Sequence, residues 1–409
     1  MKKLVFSFKG VLSLVTFALL FLGVFNFYNR YYVWFFLAAA IFFLNICELP
    51  IYVNRDFLIL VFFSMCIVIF SPDTFIKYTY LIKPFIYPIC YLIGVYSFSM
   101  FKTNEIEEQN KRIKYAWIVI SFALSIYVCL NLSVNINITN REELIDYWTQ
   151  DIASATIMAA VAVIPLAVAI AILIVKNNLF TKIYAILVLG VVLYFNLLLS
   201  GRTLFLMALI VVVAGLAFVA KARGNFSSVI KACVILLVIC SICALVYSSN
   251  AFGIKDLIEE SPFYDRFFGE QSNIELDEDG RLKNKLDYLD NMVLYPFGGD
   301  KLRESLSWRS AHDLYLDTYS YSSVFSFLLI VAYMLSSIKR IFVFIRNKSN
   351  ELDIRVMVFC VGLLMNIEFF LEPILRGIPW FFAIYCLMDG MLTSVMRFSS
   401  HDTKLAELK

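Results

Sequence analysis

Apolar residues in this chain fall into long runs separated by short polar breaks. The runs lie at about 11–28, 32–48, 57–71, 79–100, 115–133, 154–175, 183–200, 203–220, 231–249, 321–338, 355–371 and 378–396. Runs of this length are those a helix needs to cross a bilayer at roughly 1.5 Å per residue. The expectation is an all-α polytopic membrane protein of about twelve transmembrane helices. The run 57–71 is short for a span, a shortfall that an earlier start would remedy. The pattern divides the chain into three parts: about nine helices in 1–249, a large polar loop in 250–320, and three helices with a short tail in 321–409.

The large loop between helices 9 and 10 has an order of its own. Leu282, Leu286, Leu289 and Val293 recur at helical spacing along RLKNKLDYLDNMVL. They predict an amphipathic helix lying either on the membrane face or on the helical bundle. The stretch ELDEDG before it reads as a solvated turn, and YPFGGD after it ends the helix with Pro and Gly. A loop this long with its own helix is more often functional than idle. A second polar segment, NINITNREELIDYWTQDIAS, covers about 134–153. No internal repeat is visible, which counts against transporters built from repeated halves.

Lys and Arg orient the spans. With the N-terminus in the cytoplasm, the cytoplasmic breaks carry most of them, among them Lys2, Lys3, Arg55, Arg112, Lys221, Lys339, Arg340 and Arg346. The short outer breaks carry only Arg30, Lys77, Arg141, Arg202 and Arg376. Both termini are therefore expected in the cytoplasm, with the large loop on the far side. The start MKKLVFSFKG could serve as the charged end of a signal peptide. The apolar stretch after it runs to Phe27 without a small-residue cleavage site, so an uncleaved first span is expected.

Composition agrees with a membrane chain. Of 409 residues, 61% are hydrophobic and 16% charged, against about half and a quarter in soluble domains. The net charge of +3 is small and scattered, which gives no case for nucleic acid. All nine cysteines lie in apolar runs at spacings that make no metal motif, so they read as buried thiols. The sequence has no nucleotide-binding glycine motif, no HExxH and no Gly-x-Ser-x-Gly.

Candidate chemistry gathers on the outer side. Arg202 stands at the junction of two apolar runs, just inside a helix start. An Arg at a helix centre in a membrane costs roughly 2.5–3.5 kcal/mol, and less near the interface. With the helix N-terminus it makes an outward anion site, or it is a topology anchor that snorkels to headgroups. Arg281 opens the amphipathic helix, and His312 lies in SWRSAHDLYLD before the tenth span. A His there can act as a base near neutral pH, or it is a plain loop residue. Arg303, Arg309 and Asp313 are near it in sequence. Such a cation cluster suits a phosphate-bearing substrate, though Arg–carboxylate pairs that merely hold a loop look the same. Glu368, Glu372 and Asp389 lie in or near late spans, as structural partners or as part of the site.

Three features in order resemble the O-antigen polymerase and ligase superfamily. They are Ser200-Gly201-Arg202 at an outer helix start, Arg281 leading through a helix to Pro296, Gly298 and Gly299, and His312-Asp313-Leu314-Tyr315-Leu316 before the next span. The topology resembles the family over most of the chain, whereas the motifs cover about 200–203 and 281–316. The family often has Asn where this chain has Asp313. The resemblance implies a GT-C-like membrane glycosyltransferase of the bacterial inner membrane with its active site facing the periplasm. Its donor would be an undecaprenyl-diphosphate-linked glycan, without metal or cofactor, with a chain-length regulator as partner. Arg202 and Arg281 would bind the diphosphate and His312 would contact or activate the acceptor hydroxyl. Arg303, Arg309, Asp313, Tyr315 and Arg376 are the further substrate-binding candidates.

Two cations aimed at a departing diphosphate would stabilise the transition state more than the ground state. A polymerase joining lipid-linked repeats is the first expectation, a ligase moving the glycan to the lipid A core the second, and a flippase or transporter the third. Arg202→Ala, Arg281→Ala and His312→Ala should each abolish long-chain glycan while the protein still inserts. Chain-length profiles of surface polysaccharide check this, and near-normal profiles in all three would refute the assignment.

Overall fold

The computed structural model describes residues 8–46, 53–70, 82–97, 106–138, 143–175, 177–199, 202–224, 278–307 and 311–407, with short pieces between 241 and 264. These residues are helical and hold no strand; Ile145 and Ile152 form an isolated bridge. In chain order the helices are α1 (Phe8–Val24), α2 (Tyr31–Ile46), α3 (Arg55–Phe70), α4 (Ile86–Ser97), α5 (Ile106–Asn135), α6 (Ala155–Val161), α7 (Val163–Ile174), α8 (Leu179–Leu198) and α9 (Arg202–Arg223). There follow α10 (Ile254–Glu259), α11 (Glu278–Asp290), α12 (Gly299–Ser305), α13 (Leu314–Tyr321), α14 (Val324–Arg346), α15 (Leu352–Leu371), α16 (Ile374–Gly377) and α17 (Pro379–Glu407). Among the described residues seven helical stretches are long and apolar enough to cross a membrane: α5, α6 with α7, α8, α9, α14, α15 and α17. The chain is a multi-pass membrane protein.

Several helices depart from the apolar runs for local reasons. α3 begins at Arg55, earlier than the run, but ends at Phe70, so at 16 residues it stays short for a span. The run 154–175 is two helices joined at Ala162. Pro165 has no N–H to give the Val161 carbonyl, so the ladder breaks there. The run expected at 321–338 starts at Val324 and extends to Arg346. Ser323 caps it, its Oγ accepting the Ser326 N–H at 3.3 Å, and residues 314–321 form a helix of their own. The run at 231–249 lies mostly outside the described residues.

The chain divides into two compact units. The first comprises residues 1–123, 280–350 and 369–409. In it α4 and α17 cross with their backbones in close approach. A Cβ on Gly94 would meet the Leu387 carbonyl oxygen, and one on Gly390 would meet that of Tyr91. Small residues at a crossing let two membrane helices come this near.

Beside this crossing a charged cluster is buried. The Arg340 guanidinium on α14 pairs with Asp389 on α17 and Asp56 on α3. Its Nε donates to Asp389 Oδ1 at 3.0 Å. Asp389 also accepts from Tyr333 at 2.8 Å and Ser337 at 2.7 Å. Tyr385 bonds Ser337 at 2.8 Å, and Asn54 donates to the Tyr91 hydroxyl at 2.7 Å.

The second unit comprises residues 124–279 and 351–368. α7 is its core, buried throughout Val163–Ile172 and packed by α8 and α9. On α15 the Arg355 guanidinium lies 5.7 Å from the Phe218 ring, and Phe359 stacks on Phe218 at 4.9 Å. The segment after α5 is a folded turn held by side chains. Asn135 bonds both the N–H and the C=O of Ile145 at 2.9 and 2.8 Å, and Asn131 accepts the Tyr147 N–H at 3.0 Å.

The cluster sets a stability test. Arg340→Met leaves two buried carboxylates without their cation and should cost about 3–5 kcal/mol. The triple variant Arg340→Met, Asp56→Asn, Asp389→Asn should recover most of that loss. Thermal unfolding in detergent checks both, and a single variant as stable as the parent would remove the cluster from the core argument.

Candidate functional site

From residue 280 on, the described part of the large loop folds within the first unit. Tyr288, Leu302, Ala311, Leu316 and Tyr319 form a buried cluster joining α11, α12 and α13. The Tyr319 hydroxyl donates to the carbonyls of Tyr295 at 2.8 Å and Asn291 at 3.1 Å. The turn at Pro296–Gly299 requires its glycines. Gly298 (φ 56°) and Gly299 (φ 78°) are left-handed, and a Cβ on Gly298 would strike the Tyr319 carbonyl oxygen. The Pro296 carbonyl accepts the Val324 N–H at 2.9 Å, which ties the turn to the start of α14. This turn launches α12 and so places Arg303.

A cavity of about 360 Å³ opens in the same unit. Ligand pockets commonly have this size. Its charged lining groups are Lys83, Asp317 and Arg376, beside the rings of Tyr87, Tyr321 and Trp380. Arg376 comes from α16 and Asp317 and Tyr321 from α13. Two guanidiniums converge on Tyr321. That of Arg303 lies 4.9 Å from the ring centre and that of Arg376 lies 5.7 Å from it. Arg303 is buried and paired with Asp300, whereas Arg376 is exposed. The Lys83 ammonium sits 5.0 Å from the Tyr32 ring. Such a set can hold an anion beside a stacking ring.

Of the sequence candidates, Arg303 and Arg376 are brought together here, 73 positions apart in the chain. Asp313 is buried and caps α13, its Oδ1 accepting the Leu316 N–H at 2.7 Å. Its Oδ2 lies 3.3 Å from Lys285 Nζ, and Lys285 also donates to the Phe370 carbonyl at 2.6 Å. Tyr315 is buried against the Phe370 ring at 5.0 Å and does not line the cavity. His312 is half-buried, and its backbone is left-handed (φ 54°) between the buried Ala311 and Asp313. At about 1.5 Å per residue, the length of α13 separates its Cα from that of Tyr321 by roughly 13 Å. Arg202 is the first residue of α9, as its sequence context predicts, whereas α11 starts at Glu278, inside the stretch read as a turn, so Arg281 lies in its first turn and does not open it. The side chains of Arg202 and Arg281, and Arg309 with Trp308, lie outside what the structure describes. Asp389 belongs to the Arg340 cluster, Glu372 is buried in the first unit, and Glu368 is buried in the second. Among the described residues no three His, Cys, Asp or Glu side chains gather as a metal site.

Lys83, Asp317 and Tyr321 escaped the sequence reading. Lys83 is absorbed in an apolar run, and Asp317 sits in YLDTYSYSS where a span seemed to begin. The dense polar residues of that stretch were the available signal. A lipid-facing helix would not carry them.

Asp313 gives a pH test. Burial raises its carboxyl above the ordinary Asp value, while the Leu316 N–H and Lys285 pull it down. The folded state then binds the proton more tightly than the unfolded chain does. The resulting stability is full below about pH 3.9, the unfolded value, and is lost as pH rises through the folded value. Asp313→Asn should flatten stability against pH in this mildly acid window. Asp313→Ala should lose about a further 1 kcal/mol with the helix cap. Unfolding midpoints over a pH series check both, and an unchanged slope in the Asn variant would contradict the burial argument.

No protein-family model matches the chain and no curated protein matches it, so the chemistry of this site has to come from its own residues.

Proposed function

We propose that the chain is an O-antigen polymerase, a GT-C-like glycosyltransferase that joins undecaprenyl-diphosphate-linked repeats outside the bacterial inner membrane. The observation that carries this reading is the convergence of Arg303 and Arg376 on Tyr321 at a cavity that Lys83 also lines. The lining segments, at 29–31, 317–322 and 375–380, are those the Lys and Arg bias assigns to the outer side. Arg340 and Asp56 lie near the helix ends assigned to the cytoplasm.

In this reading Arg376 and Lys83 hold the donor diphosphate and Tyr321, oriented by Arg303, stacks on a sugar. The acceptor hydroxyl attacks the anomeric carbon and its proton passes to a base, for which His312 is the candidate. The bond from that carbon to the phosphate oxygen breaks, and the lipid diphosphate leaves with the electron pair. Cations fixed where that charge grows contribute most to the rate.

One observation favours a transporter: charged groups buried in the bundle at Arg340, Asp56 and Asp389. Asp56, however, is the second residue of α3, so this cluster reaches a helix end. A substrate path through the midplane would need charges deeper in several helices.

Purified protein given lipid-linked repeats alone should build a ladder of products. Arg376→Ala should lower the rate by roughly 100-fold or more, as removal of one such donor commonly does. A requirement for lipid A core would make the enzyme a ligase, and no glycosidic product with either acceptor would sink the enzymatic reading.

A further inference from the structure

The stripe Leu282, Leu286 and Leu289 on α11 is not the face that packs on the protein. These leucines are 61%, 51% and 46% exposed, while Tyr288 on the same helix is 1% exposed. At about 100° per residue the three occupy one arc of roughly 60°. Lys283 and Asp290, both exposed, border that arc on one side and Lys285 borders it on the other. α11 therefore has a side sealed into the Tyr288 cluster, a polar side and an open apolar side.

What covers the open side is indicated by what it continues into. After α11 the chain carries further exposed apolar residues, Val293, Leu294 and Phe297. Phe297 lies against Phe70 at the end of α3, 5.4 Å between ring centres, and against Phe325 at the start of α14, 6.5 Å away. Phe325 and Leu328 open the exposed apolar face of α14, a helix long and apolar enough to span. The stripe is thus followed along the chain by exposed apolar residues that end, at Phe297, in ring contact with the end of α3 and the start of α14. An exposed apolar band with flanking charge, level with helix ends, is the pattern of a helix seated in the headgroup boundary.

We infer that α11 is an interfacial anchor whose leucine stripe enters the lipid leaflet, with a phospholipid surface as its partner. The anchor is coupled to the site. From the same helix Lys285 reaches Asp313 and the Phe370 carbonyl, and Asp313 caps α13, which lines the cavity with Asp317, Thr318 and Tyr321. This assignment does not depend on the reaction catalysed.

The full chain in phosphatidylethanolamine–phosphatidylglycerol vesicles, labelled with an aryl diazirine confined to the bilayer and read by peptide mass spectrometry, tests it. Leu282, Leu286 and Leu289 should take label at the level of Phe325 and Leu328, with Lys283 and Asp290 largely spared. In the variant Leu286→Asp, Leu289→Asp the α11 label should fall away while that on α14 remains. Label on α14 without label on α11 would overturn the anchor, since a stripe covered by a second copy or by another protein gives that result. Label on α11 that survives the double substitution would overturn it as well.

Discussion

A guanidinium buried between two carboxylates is the constraint on which the first unit rests. Arg340 joins α14 to α17 through Asp389 and to α3 through Asp56. Stripping water from three charges is costly, and only a full set of partners offsets it. Here Tyr333 and Ser337 complete the shell of Asp389. Apolar packing tolerates sliding, because one leucine replaces another with little loss. A directional ionic cluster does not, and it fixes the register of three helices that would otherwise be held by greasy surfaces alone. The glycine crossing of α4 and α17 adds a second fixed point on the same helix.

The site lies at the other ends of these helices and is assembled by short elements. A two-glycine turn launches α12, a carboxylate cap starts α13, and α16 is a single turn before α17. Each is too short to be stable alone. Their placement comes from the Tyr288 cluster and from bonds such as Val324 N–H to the Pro296 carbonyl. The convergence of Arg303 and Arg376 on one tyrosine is thus a product of tertiary packing, which brings distant segments together on a scaffold of long helices.

The long elements were legible because bilayer length and hydrophobicity determine them. α5, α8, α9, α14, α15 and α17 fall where apolar runs predict helices, and α11 falls where the leucine spacing does. The orientation of α11 was not legible, since a periodic stripe has the same spacing whether it meets protein or lipid. α13 was hidden because residues 314–320 read as the end of the polar loop and Tyr321 as the start of a span, whereas Ser322 and Ser323 separate two helices there. Arg340 counted as one more cytoplasmic cation, because nothing local shows that Asp56 and Asp389 turn toward it. Among the site candidates, Arg303 and Arg376 could be nominated by charge and side. Their shared partner could not, because it depends on how α12 and α16 meet α13.

The left-handed backbone at His312 changes how any substitution there should be read. An alanine at 312 removes the imidazole and keeps the Cβ that histidine already carries at φ 54°, so the backbone cost of roughly 1–2 kcal/mol is common to both residues. A lost function in that variant therefore reports chiefly on the ring. Glycine deletes the ring yet accepts the turn freely, and asparagine tolerates the turn while offering a different polar group. Alanine against histidine measures the work of the ring, and glycine against alanine measures the cost of the bend.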